Sequence, residues 1–147
     1  MKKLLLLLLL FLGLIGTASA DIVETNTLKL KTLNACESCN LQVANLSGAD
    51  LSKASIGSDL YAPTLLFEAN LNGANLKGAN LTRVDLKGAN LTRVELNEAD
   101  LSGAHLSQAN LTEADLTGAN MENIRNLDSA IKCKTIFSWG EENSGCK

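Results

Sequence analysis

Aromatic residues are scarce in this chain: one Trp, one Tyr and three Phe in 147 residues. A globular core of this size normally uses more rings, so leucine and alanine have to fill the interior. Basic residues are outnumbered by acidic ones, 13 against 16. A nucleic-acid binder shows a basic face, so this balance argues against nucleic acid as a partner. Only one apolar run is long, Leu4 to Gly16, and it falls short of the ~20 residues a membrane-spanning helix needs. No cysteine closes that run, so nothing there invites lipid attachment.

The run has the parts of an export signal. Lys2 and Lys3 give it a basic start, and Ala18-Ser19-Ala20 supplies the small residues a signal peptidase needs. Cleavage after residues 1–20 makes Asp21 the mature N-terminus. Losing Lys2 and Lys3 takes the basic count from 13 to 11 against 16 acidic residues, a net charge of −5. No second apolar run follows, so the mature chain is expected to be soluble, in the periplasm or secreted. Its length suits one domain.

From Leu41 to Met121 a large apolar residue recurs every fifth position; 14 of the 17 are Leu, and the others are Ile56, Tyr61 and Met121. Two positions earlier stands Ala in 12 of the 17, with Val84 and Val94 filling two of the gaps. One position earlier stands Asn or Asp in most repeats, as at Asn45, Asp50, Asn75 and Asn80. On an α-helix a step of five turns the chain through about 500°, so the leucines would circle the axis. On a flat strand an odd step would send successive leucines to opposite faces. Neither buries them together, but a corner every five residues does. Ala and Leu then point inward, Asn or Asp points outward, and the polar or Gly pair that follows makes the turn. Sides of this kind close into coils, and stacked coils share one leucine column. Gly48, Gly73, Gly78, Gly88, Gly103 and Gly118 fall where a type II turn needs positive φ. Arg83, Arg93 and Glu113 hold the same slot, and there other turn types are expected.

The A-(N/D)-L-x-x run over roughly residues 39 to 123 resembles the pentapeptide-repeat family. The resemblance implies an all-β fold, a right-handed quadrilateral parallel β-helix of about four to five coils. The organisation expected is a β-helix over 36–125, an N-terminal cap over 21–35 and a C-terminal cap over 126–147. Alternation in "TLKLKTL" suggests that the first cap is a strand. Ile131, Phe137 and Trp139 are candidates to lid the other end. The terminal "CKTIFSWGEENSGC" is similar to a tail that follows the repeats in exported family members.

Three places break the regularity. Between Ile56 and Leu66 the five-residue count continues through Tyr61, but Asp59 and Thr64 take the inward slot and Leu60 and Leu65 the outward one. Leu60, Pro63, Leu65 and Phe67 could form an outer patch that binds a partner; alternatively, a local bulge folds the leucines back. Residues twenty apart should stack, which puts Arg93 beside Glu113, and Asp85 beside His105 with Arg125 beyond. Asp85 and His105 resemble half of a catalytic triad, yet the register supplies no nucleophile and a convex wall offers no pocket, so a surface ladder is expected. The third break is the cysteines. Cys36 and Cys39 flank one turn, whose ends approach closely enough for a disulfide. Cys133 and Cys146 are expected to pair at the other end, and export permits oxidation. With the pairs at opposite ends, a four-thiol zinc site is excluded. Asn40 rather than His follows Cys39, so haem attachment is not indicated.

Three functions follow. The first is a non-enzymatic exported scaffold, structural or protein-binding, with no cofactor and no metal. The second is DNA mimicry toward a topoisomerase, which the family resemblance raises and the export signal, modest charge and facial lysines and arginines oppose. The third is thiol-disulfide activity at Cys36 and Cys39. The partner protein and oligomeric state are not encoded in any motif.

Overall fold

Each pentapeptide makes one short extended side and one turn, and the sides stack. A computed structural model describes residues 18–58 and 63–146. Their outward positions form four parallel ladders. Wall A carries Ala35, Ser55, Asn80, Asp100 and Asn120; wall B carries Asn40, Leu65, Asp85, His105 and Arg125. Wall C carries Asn45, Asn70, Asn90, Asn110 and Ile131; wall D carries Asp50, Asn75, Glu95, Asp115 and Ile136. Four walls per circuit is the quadrilateral coil that the family resemblance implies. From Leu66 to Leu116 every fifth-position leucine is at most 1% exposed, and the alanines between them are sealed up to Ala114. Each such leucine contributes roughly 1.5–3 kcal/mol of burial.

The corners correct one expectation. Arg83, Arg93 and Glu113 have φ of 57°, 56° and 59°, the same left-handed turn as Gly78 and Gly88 at 64° and 65°. That conformation costs a residue with a Cβ about 1–2 kcal/mol. Two hydrogen bonds offset it, at about 0.5–1.5 kcal/mol each. One is made by the outward Asn or Asp: Asn80 Oδ1 accepts from the Thr82 N–H at 3.0 Å, and Asn110 Oδ1 from the Thr112 N–H at 3.0 Å. The other joins neighbouring coils: the Arg83 N–H donates to Ser102 O at 2.9 Å, and the Glu113 N–H to Cys133 O at 2.8 Å.

The register is also corrected. Asn40 pairs with Leu65, 25 positions on, whereas Leu65 pairs with Asp85, 20 positions on. Ser55 and Leu65 are therefore on successive walls, with a repeat's length of extra chain between them. Ile56 and Leu66 are thus one side apart, where the uniform count makes them two. Because the insertion equals one repeat, the count of five runs through it unbroken. Asp59, Leu60 and Tyr61 lie outside the described residues. Thr64 is fully buried, as expected for its inward slot.

Residues 21–35 do not form a cap strand. Helix α1 spans Ala18–Leu33, so the fold is not all-β. Val23 and Leu30 fall on one helical face; Leu30 is fully buried in the column and Val23 packs against it. Asn34, at φ 55°, ends the helix in the left-handed conformation, and its N–H donates to Leu30 O at 2.9 Å. The Asn26 side chain donates to Asn40 O at 2.9 Å and Lys31 Nζ to Asn45 O at 3.2 Å, tying α1 to the first coil. A helix covers the open column with a side chain such as Leu30, which a strand continuing the wall would not do.

The stacking continues past residue 125. A short 3-10 turn, Leu127–Ser129, adds one residue before Ile131 rejoins wall C. Strand β1, Asp115–Leu116, pairs in parallel with β2, Thr135–Phe137, and β3, Gly140–Glu142, pairs antiparallel with β2. Phe137 is the lid, 2% exposed, while Ile131 and Trp139 face outward, and Trp139 stacks on Phe137 with ring centroids 4.6 Å apart. Lys132 falls where the register places an inward leucine; its buried side chain donates to Leu127 O at 3.1 Å and reaches Glu142 at 3.8 Å.

Leu91→Ala, in the middle of the column, should cost about 2–5 kcal/mol, read from the denaturation midpoint at unchanged slope. A loss below about 1 kcal/mol would mean the column closes around the gap.

Candidate functional site

Apolar residues in outward slots converge on one edge. Leu65 holds the outward position of wall B between Asn40 and Asp85. Phe67 holds the first turn position of the corner that follows, where the other turns place polar residues or Gly. Val43 holds the second turn position one coil below, and its N–H donates to Phe67 O at 3.1 Å. Val43 is 66% exposed, Pro63 is exposed, and Leu65 and Phe67 are half-buried. Leu60, the remaining member of the expected patch, lies outside the described residues. Val43 was missed because its position is conspicuous only once Phe67 is known to stack beside it.

An open groove of about 290 Å³ adjoins this edge, lined by Phe67, Glu68, Asp85, Lys87, Gly88 and Gln108. The wall is therefore not featureless. Gly88 leaves a notch in the corner column, where a Cβ would sit 3.5 Å from Glu68 Cγ.

The twenty-residue stacking holds on this wall. His105 Nδ1 lies 3.3 Å from Asp85 Oδ1, and Arg125 occupies the next rung. The other ring nitrogen, Nε2, is 3.0 Å from the Asn126 amide nitrogen. An amide stands where a triad would present its nucleophile, so the pair forms a ladder without an acylating group. Arg93 Nε donates to Glu113 Oε2 at 2.7 Å. This bond and the guanidinium charge hold the Glu113 carboxyl below its ordinary range, and the same bond and the carboxylate charge raise Arg93. At Asp115 burial pushes upward, but hydrogen bonds from Thr117 and Asn97 outweigh it and leave the carboxyl lowered.

Cys36 and Cys39 lie with sulfurs 2.01 Å apart, and Cys133 and Cys146 with sulfurs 2.02 Å apart. Cys36 is fully buried beneath α1, its sulfur 3.6 Å from Asn26 O. Among the described residues, no group of three His, Cys, Asp or Glu side chains is placed to hold a metal ion. No helix among them is long and apolar enough to cross a membrane.

A five-residue unit stacked into four walls around leucine defines a class of repeat protein. Residues 65–97 and 95–125 match the family model described as pentapeptide repeats. A pentapeptide repeat protein from the thylakoid lumen of Arabidopsis thaliana is 31% identical, over 69% of this chain and 64% of that one, with a TM-score of 0.58. HetL, a pentapeptide repeat protein involved in heterocyst differentiation regulation from Nostoc sp. strain PCC 7120, is 29% identical over 73% and 54%, with a TM-score of 0.43. Rfr23, a pentapeptide repeat protein from Cyanothece 51142, is 21% identical over 73% and 97%, with a TM-score of 0.45. The chain thus spans 64% and 54% of the first two structures. No curated protein matches it. The chain belongs to the pentapeptide-repeat family.

In an NMR titration, Arg93→Gln should move the Glu113 carboxyl upward toward its ordinary range. Glu113 is depressed in the folded state, so any stability it lends is present above its unfolded pKa and lost as pH falls through the folded one. Salt should shrink the difference, because the pair is exposed; a Glu113 midpoint indifferent to Arg93 would refute the pairing in solution.

Proposed function

We propose that this chain is an exported, non-enzymatic pentapeptide-repeat scaffold, cleaved after Ala20, that holds a protein partner on the edge between wall B and its corner. The fold proposed is a right-handed quadrilateral β-helix of about five coils, with Cys36–Cys39 and Cys133–Cys146 oxidised. The observation that carries the binding reading is the meeting of Val43, Leu65 and Phe67. Leu65 and Phe67 break the polar pattern two residues apart, and Val43, distant in sequence, joins them only in the stack. Exposed apolar surface of that kind marks interaction sites. Pro63 extends the patch, and Leu60 is proposed to belong to it. Export is supported by the basic, apolar and small-residue segments at the N-terminus and by the thylakoid-lumen location of the relative at 31% identity. Burial of Cys36 and Cys39 speaks against a thiol-disulfide catalyst, since a reactive cysteine must be approachable. A net mature charge of −5 remains a poor match for a DNA mimic.

Two measurements test this. Mass spectrometry of protein from the extracytoplasmic fraction should find a chain beginning at Asp21; an intact Met1 would remove the export reading. In a pull-down from that fraction, the triple variant Val43→Thr, Leu65→Asn, Phe67→Thr should lose partners that the unaltered chain retains. Its melting temperature should fall by no more than about 4 °C, equivalent to about 1 kcal/mol. Equal recovery of partners by both proteins would place the interaction elsewhere.

A further inference from the structure

The two cysteine pairs sit in opposite surroundings. Cys36 is 0% and Cys39 6% exposed, and both belong to the buried core cluster. Cys146 is exposed and Cys133 half-buried. Thiol–disulfide exchange requires a thiolate to reach a sulfur, so access sets which bond reacts in the folded chain. The Cys133–Cys146 pair also gathers the contacts that hold the C-terminal tail. The Lys132 N–H donates to Ser144 O at 2.8 Å, and the Lys134 N–H to the Asn143 side chain at 3.0 Å. Gly145 lies against Ile131, where an added Cβ would come within 3.2 Å of Ile131 Cγ2. Residues 143–146 therefore pack on one side of Ile131 and satisfy the backbone of the last coil, with the cysteine pair joining tail to coil.

We propose that Cys133–Cys146 is a reducible latch on the C-terminal cap, while Cys36–Cys39 stays oxidised as long as α1 is seated. The proposal rests on the oxidised state assigned to both pairs above. A dithiol reductant supplies the chemistry. Its thiolate attacks Cys146 Sγ, the S–S bond breaks, and the electron pair leaves on Cys133 Sγ, which takes up a proton. The second thiol of the reductant, deprotonated, then displaces Cys146 as a thiolate, which takes up the second proton. In sum, two electrons and two protons pass to the protein and the dithiol becomes a disulfide. Released, the tail from Asn143 to Cys146 no longer packs on Ile131, which adds to the apolar surface that Ile131, Ile136 and Trp139 already expose.

Limited dithiothreitol on the folded full-length mature protein, followed by alkylation and peptide mass spectrometry, tests this. Labelling of Cys133 and Cys146 should precede that of Cys36 and Cys39 by at least about tenfold in rate, and unfolding in urea should abolish the difference. Equal rates, or earlier labelling at Cys36 and Cys39, would overturn the proposal. Four thiols alkylated before any reductant is added would instead remove the oxidised state on which it rests. Hydrogen exchange supplies the second readout: selective reduction should raise exchange over 131–146 and leave 65–125 unchanged. Unchanged exchange over 131–146 would show that the bond is not a latch.

Discussion

The corner is the element on which everything else depends. A leucine every five residues has no common face on a helix or a flat strand, and the column forms only because the chain turns after each leucine. That turn requires a residue in the left-handed region, and most of the corners described place a residue with a Cβ there. Two hydrogen bonds make it tolerable, one from a turn N–H to the outward Asn or Asp oxygen and one from a turn N–H to the next coil. The Asn or Asp of the repeat is thus part of the hinge, and its identity has a structural cause before it has any functional one. The interlayer bond adds that a corner is fully stable only when another coil is stacked against it.

A column built this way has no natural end, so each end carries a different device. At the first coil α1 sets Leu30 into the opening, with Cys36 and Cys39 beneath it. At the last, the leucine positions pass to Lys132 and Phe137, and β3 adds an antiparallel strand that the repeat does not predict. The same logic bears on the insertion after Ser55. A repeat-length insertion can be accommodated because inward and outward slots on both sides keep their phase.

Much of the candidate edge was legible in the sequence. Leu65 and Phe67 stood out as apolar residues in slots that favour polar ones, and Asp85 with His105, like Arg93 with Glu113, followed from stacking at twenty. Val43 did not stand out. Its neighbour Phe67 is 24 positions away because of the insertion, and a uniform step of twenty pairs it with Pro63 instead. The groove beside Gly88 was likewise invisible, because a notch depends on which side chains flank a glycine in three dimensions. The left-handed φ at Arg83, Arg93 and Glu113 was misjudged for a related reason. Propensity alone disfavours it, and the hydrogen bonds that offset the cost come partly from another coil.

The sequence by itself determined the period, the inward and outward faces and the leucine column, because those depend on spacing within a few residues; the number of sides came from the family resemblance. It also determined that the cysteines fall at the two ends. The tertiary structure decided which wall meets which across the insertion, that residues 21–33 cap the column as a helix, and that Val43 joins Leu65 and Phe67 at one edge. It also decided that one cysteine pair is sealed while the other stands at the surface. Those outcomes turn on contacts between coils and on what covers an open end. Such contacts depend on the whole stack, and no local pattern records them.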